Sequence, residues 1–149
     1  AWGQMLPRFF KPTVAIANHA ESGETVSDSN NRYRFAKILS QIRPGDVFIA
    51  QFGHNDMKEK KRDPDAPAKY KAGLIAWVKA VQAKGATAVI VTSMNRHTFK
   101  DGKVYNSLEE YPRLAREAAA ETGAALIDLN AQSKILYEAL GEQGSLALF

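Results

Sequence analysis

The sequence predicts an α/β fold, a three-layer α/β/α sandwich around a parallel sheet. Two observations carry this. Four short runs rich in strand formers, at Thr13–Ala17, Val47–Phe52, Ala86–Thr92 and Ala124–Leu129, alternate with segments whose apolar residues recur every three to four positions. Such alternation requires crossover connections, which join parallel strands with a right-handed sense. With 149 residues, 45% of them hydrophobic, and no repeat or low-complexity linker, the chain is expected to form one domain over residues 1–149.

In chain order, residues 2–10 read as a short helix that Pro7 restricts to a broken form. The run T-V-A-I-A at 13–17 reads as a buried strand, followed by a polar loop from Asn18 to Asn31 that contains Gly23. From Arg32 to Ile42, residues Tyr33, Phe35, Ile38, Leu39 and Ile42 share a helical face, and Pro44-Gly45-Asp46 stops it. The run V-F-I-A-Q-F-G-H-N-D at 47–56 is a strand ending in a glycine and three polar residues, the pattern of a buried parallel strand delivering side chains to the sheet's carboxyl edge.

A charged, proline-bearing loop then leads to a helix over 69–84, closed by Gly85. The strand at 86–92 exits into a long polar loop with Asn95, Arg96, His97 and a turn at Asp101-Gly102. Ser107 is placed to cap the next helix with Glu110 as capping-box partner, although Pro112 suits a later start. Gly123 ends that helix, 124–129 forms another strand, and a helix over 131–140 precedes the glycine-bearing tail.

Composition narrows the function classes. Cysteine is absent, which excludes disulfides and thiolate metal sites within the chain, and no histidine pair has metal-ligand spacing. Neither a Walker nor a dinucleotide glycine fingerprint occurs, so no cofactor is expected. The formal charge of +4 suits a polyanionic partner, including an acidic polysaccharide. The densest basic run, K-E-K-K-R at 58–62, has no interleaved aromatics, so no nucleic-acid partner is expected. Apolar stretches fall short of a membrane span, so no membrane partner is expected either.

Two loops at strand exits carry the candidate chemistry. Asn55 presents an uncharged amide with two donors, and a backbone N–H at Gly23 could point at the same oxygen, as an oxyanion hole requires. Each also has a plainer reading, Gly23 as a turn glycine and Gly-His-Asn-Asp as a polar turn. Ser22, Ser27, Ser29 and Ser93 lie in loops, and none occupies a motif that marks an activated nucleophile.

The block Gly53-His54-Asn55-Asp56 after a hydrophobic strand, the preceding Asn18-His19-Ala20-Glu21-Ser22-Gly23-Glu24-Thr25, and the later Asn130-Ala131-Gln132-Ser133 together resemble the SGNH (GDSL-type) hydrolases, in particular their rhamnogalacturonan acetylesterase branch. The resemblance implies a flavodoxin-like sheet and a serine esterase acting on an acetylated, pectin-type polysaccharide. It also implies an extracellular or periplasmic setting. It matches Gly23 and Asn55 to the family's oxyanion donors. His54 and Asp56 shape the block, and His54 and Arg96, with His97 beside them, are the candidate substrate contacts, although no motif fixes their roles.

The family's Gly-Asp-Ser block and Asp-x-x-His pair do not occur in this sequence. The chain therefore reads as an internal fragment whose first, central strand is missing, inactive on its own. The strands at Thr13 and Val47 are then expected to flank a gap lined by unpaired backbone groups, which are costly when buried. The alternative function is a non-catalytic α/β domain whose Gly-His-Asn-Asp loop holds a carbohydrate or another polyanion. The resemblance leaves the oligomeric state open.

Overall fold

The computed structural model describes residues 2–149. Helix α1 (Trp2–Met5) runs into a 3-10 turn at Leu6–Phe9, where Pro7 removes the amide that a continuing helix needs. Next come α2 (Val26–Asn31), α3 (Arg34–Gln41), β1 (Val47–Gln51), α4 (Asp56–Glu59), α5 (Ala66–Ala83) and β2 (Thr87–Val91). The two-residue strands β3 (Phe99–Lys100) and β4 (Lys103–Val104) form a hairpin around Asp101-Gly102, as the turn signal predicts. Helix α6 (Tyr111–Thr122), β5 (Ala125–Ile127) and α7 (Leu129–Ser145) complete the order before a 3-10 turn at Leu146–Leu148.

The main sheet is parallel, in the order β1-β2-β5. Its register places Ala50 beside Ile90 and Ile90 beside Leu126. Both steps run the same way across the sheet, so right-handed crossovers bring α5 and α6 to the same face. There the two helices pack on one another and on β2. The core beneath them joins Ala50, Ala88 and Ile90 of the sheet to Leu74, Trp77, Val78 and Val81 of α5 and to Tyr111, Ala115 and Ala118 of α6. Each large side chain fully buried here contributes roughly 1.5–3 kcal/mol. Trp77 stacks on Phe35 of α3 at 4.9 Å and meets Phe48 and Phe52 edge-on, which fastens α3 over β1.

The α/β class with a parallel sheet is as predicted, and three of the four expected strands form. The fourth does not: Thr13 lies in a turn and residues 14–17 are irregular chain without ladder bonds. Val14 is 44% exposed, and its N–H bonds to Lys11 in a turn. A strand exists only by pairing, and among the described residues this run has no ladder partner. Across from it the outer edge of β1 carries no strand either. Between the two lies a cavity of about 600 Å³, lined by residues 15–21 on one side and 46–55 on the other, with Phe35 and Trp77 among its walls.

Other boundaries moved for local reasons. The loop expected at 18–31 contains α2, started by a capping box in which Thr25 Oγ1 accepts the Asp28 N–H and the Asp28 carboxylate accepts the Thr25 N–H. Tyr33, in the left-handed region at φ 57°, separates α2 from α3, so the helix expected from Arg32 starts at Arg34. Helix α5 begins three residues before the expected Lys69, with Pro67 in its first turn. Ser107 does not cap α6: that helix starts at Tyr111, and Glu110 takes the N-cap position without a side-chain bond. Helix α7 extends past the expected Leu140 to Ser145, with a break at Gly141.

Candidate active site

The carboxyl end of β1 is a tight polar turn. Gly53 sits at φ 130°, and a Cβ there would stand 2.6 Å from Ser93 Oγ, so both conformation and space demand glycine. The carbonyl of Phe52, just before it, accepts the Tyr70 hydroxyl at 2.9 Å and the Ser93 hydroxyl at 2.7 Å. The chain is thereby turned off the sheet and into α4, which opens with Asp56.

Asp56 is 4% exposed and joins two loops. Its Oδ1 accepts the N–H of Val26 at 2.8 Å, and its Oδ2 accepts the N–H of Gly53 at 2.9 Å. Burial pushes its carboxyl up to about 6, against the opposing pull of these backbone bonds. Tyr111 donates its hydroxyl to the Asp56 carbonyl at 3.0 Å, which ties the turn to α6.

Asn55, half-buried, points its amide toward the Gly23 loop. Its Nδ2 donates to the Glu24 carbonyl at 3.3 Å, while its Oδ1 accepts Lys58 Nζ at 3.0 Å. Gly23 is exposed at φ 82°, on the loop leading into α2. Glu24, buried beside it, is held by Arg34 at 2.5 Å and Arg32 at 3.6 Å, so two ion pairs anchor the loop. Glu24, Gly53, His54 and Asn55 all line the end of the large cavity. The two predicted oxyanion positions therefore lie on neighbouring loops: Asn55 lines the cavity, Gly23 does not, and the Asn55 amide reaches the carbonyl of Glu24, one residue after Gly23.

His54 and Arg96 occupy supporting positions around the same turn. His54 Nε2 bonds to the Met94 carbonyl at 2.9 Å, and burial, aided by the nearby Arg96 and Lys58 charges, lowers its pKa. A neutral ring then donates Nε2–H to that carbonyl. Arg96 donates to the His54 carbonyl at 2.9 Å and reaches Ser107 at 3.4–3.5 Å, so its guanidinium joins the two loops. His97 turns the other way, its Nε2 meeting the Glu142 carbonyl and Ser145 Oγ near the end of α7.

The candidate serines separate by burial. Ser93 is 1% exposed and donates to the Phe52 carbonyl, so it is part of the turn. Ser29 is buried in α2, whereas Ser22 and Ser27 are exposed. Among the described residues no group of three His, Asp or Glu could hold a metal ion. Asn95 and the Asn130–Ser133 block, to which the sequence assigns no role, form a network behind the site. Asn130 donates to the Ser93 carbonyl at 3.1 Å, Asn95 donates to the Asn130 carbonyl at 2.7 Å, and Ser133 Oγ accepts the Asn95 N–H at 2.9 Å. Thr92 and Arg116 both bind Asp128 at the start of α7. The Asn130–Ser133 segment thus locks the exit of β2 to α7; the N-cap pattern at Asp128 was its legible signal.

Residues 1–146 match the GDSL-like lipase/acylhydrolase family. The chain belongs to this family. It is 35% identical over 149 residues to the rhamnogalacturonan acetylesterase RhgT of Bacillus subtilis, covering 99% of this chain and 63% of that protein. It is 32% identical to the uncharacterized esterase YxiM of the same organism, over 99% of this chain and 39% of that protein. This member of the family thus spans less than two thirds of either relative.

The crystal structure of YxiM superposes with a TM-score of 0.89 at 30% identity, covering 99% of this chain and 42% of that one. The acetylxylan esterase Axe2 of Geobacillus stearothermophilus shares the fold at a TM-score of 0.65 and 21% identity, over 93% of this chain and 67% of that one.

Proposed function

We propose that this chain supplies the oxyanion hole of a serine carbohydrate esterase that removes acetyl groups from a pectin-type polysaccharide. The observation that carries the reading is the Asn55 amide, which lines the cavity and reaches the Glu24 carbonyl, one residue after Gly23. In this reading a serine attacks the acetyl carbonyl, and the resulting oxyanion is held by the Asn55 Nδ2–H and the Gly23 N–H. Collapse releases the sugar hydroxyl and leaves an acetyl-serine, which water hydrolyses through a second tetrahedral intermediate in the same hole. Family membership supports the acyl transfer, and the named relative RhgT supports the acetylated pectic substrate. The serine and the histidine–aspartate pair are not assigned within these 149 residues. The +4 charge favours an acidic polymer over a neutral one.

The test is acetate release by the full-length protein from acetylated rhamnogalacturonan and from acetylated xylan, with and without Asn55→Ala. Expected is faster release from the pectic substrate and a loss of roughly 10²–10³ in kcat for the variant, the usual cost of one oxyanion donor. A variant as fast as wild type would remove Asn55 from the mechanism, and preferential deacetylation of xylan would overturn the substrate.

A further inference from the structure

An oxyanion hole stabilises the transition state only if its donors are in place before the charge develops. Gly23 and Asn55 sit on different loops, one preceding α2 and one following β1. The direct link between them, from the Asn55 amide to the Glu24 carbonyl, is 3.3 Å long, at the weak end for such a bond. The stronger link is the Asp56 side chain. One oxygen takes the N–H of Val26, three residues after Gly23, and the other takes the N–H of Gly53, two residues before Asn55. The Tyr111 bond to the Asp56 carbonyl holds this bridge to the core.

We propose that Asp56 is a positioning residue for ester hydrolysis, its ionised carboxylate tying the Gly23 loop to the Asn55 turn and so setting the spacing of the two oxyanion donors. The inference rests on the oxyanion reading of those two residues.

The chemistry requires a carboxylate. Both partners are N–H donors, so both side-chain oxygens must accept; an asparagine presents an NH2 donor to one of them and loses that bond, and a protonated aspartic acid offers there only the weaker acceptor of its hydroxyl oxygen. The titratable groups facing Asp56 are Asp28 of α2, Tyr70 of α5 and Tyr111 of α6. The Asp28 charge adds to the effect of burial. Above about pH 6 the carboxylate is ionised and both oxygens accept fully; as pH falls through that value one of the two bonds weakens.

The test compares Asp56→Asn, Asn55→Ala and the double variant in the full-length protein, using acetate release above pH 7. Asp56→Asn is expected to lower kcat by about 10- to 100-fold, the scale of a misplaced catalytic group, with KM within about twofold. In the Asn55→Ala background the same change is expected to cost less than about threefold, because the donor it positions is gone. An equal loss in both backgrounds marks Asp56 as merely structural and overturns the proposal.

The second readout is the pair of amide protons of Val26 and Gly53 in wild-type protein, followed by NMR against pH. They are expected to shift together with one midpoint near 6, and separate midpoints or no shift overturn the bridge even if Asp56→Asn fails to fold. If wild type and variants alike release no acetate while the two amides still titrate together, the esterase reading has failed. The catalytic role given to Asp56 falls with it.

Discussion

Replacing Gly53 by alanine tests the turn that carries Asn55. At φ 130° an alanine is outside the regions open to L-residues, a strain of about 1–3 kcal/mol. Its methyl would also stand 2.6 Å from Ser93 Oγ, and the nearest other atom, the Tyr70 hydroxyl oxygen, is at 3.4 Å. Overpacking of this kind costs about 1–3 kcal/mol, so Gly53→Ala is expected to destabilise by about 2–6 kcal/mol in total.

Ser93→Ala removes the obstructing oxygen and should cost only about 1 kcal/mol, since the Phe52 carbonyl keeps its bond from Tyr70. The double variant is therefore expected to be destabilised by about 1–3 kcal/mol less than the sum of the singles, the strain remaining and the clash relieved. Urea unfolding of the four full-length proteins measures all the terms. A Gly53→Ala protein within 1 kcal/mol of wild type, or single costs that simply add, would refute this reasoning about the turn.

Two further outcomes are expected. Asp56 ionises less readily in the folded protein, at about 6 against an ordinary value of 3.8, so the folded state binds the extra proton between these limits and stability falls as pH rises through them. The gap of about two pH units corresponds to roughly 3 kcal/mol; because the lowered pKa of His54 acts in the opposite sense, the quantity to read is the difference, and urea unfolding should show wild type losing about this much stability relative to Asp56→Asn between pH 4 and pH 7. The 149-residue chain by itself, with the outer edge of β1 open to a large apolar-walled cavity, is expected to bind ANS and self-associate on warming; a sharp two-state melt of monomer would contradict this.

Much of this was legible because the sequence is locally consistent. The apolar run of β1 followed abruptly by Gly-His-Asn-Asp placed Asn55 at a strand exit, and the glycines at 85 and 123 marked where α5 and α6 stop. Thr13–Ala17 misled because strand propensity describes a residue's fitness for a pleated surface, not the presence of a neighbour to pair with. Helix α2 was hidden by its composition, V-S-D-S-N-N, which is poor helix material; its Thr25–Asp28 capping box and the Trp77 indole bond to Asn30 sustain it. Asp56 could be placed in the block by its sequence, but its two backbone partners lie on separate loops, and no periodicity reports such a pairing.

The Phe52 carbonyl gives the site one more property. An amide oxygen has two lone pairs, and here two hydroxyls, from Tyr70 and Ser93, occupy them. A strand alongside β1 then finds no free acceptor at this carbonyl. Pairing ends at Gln51, and the loop bearing Asn55 remains outside the sheet.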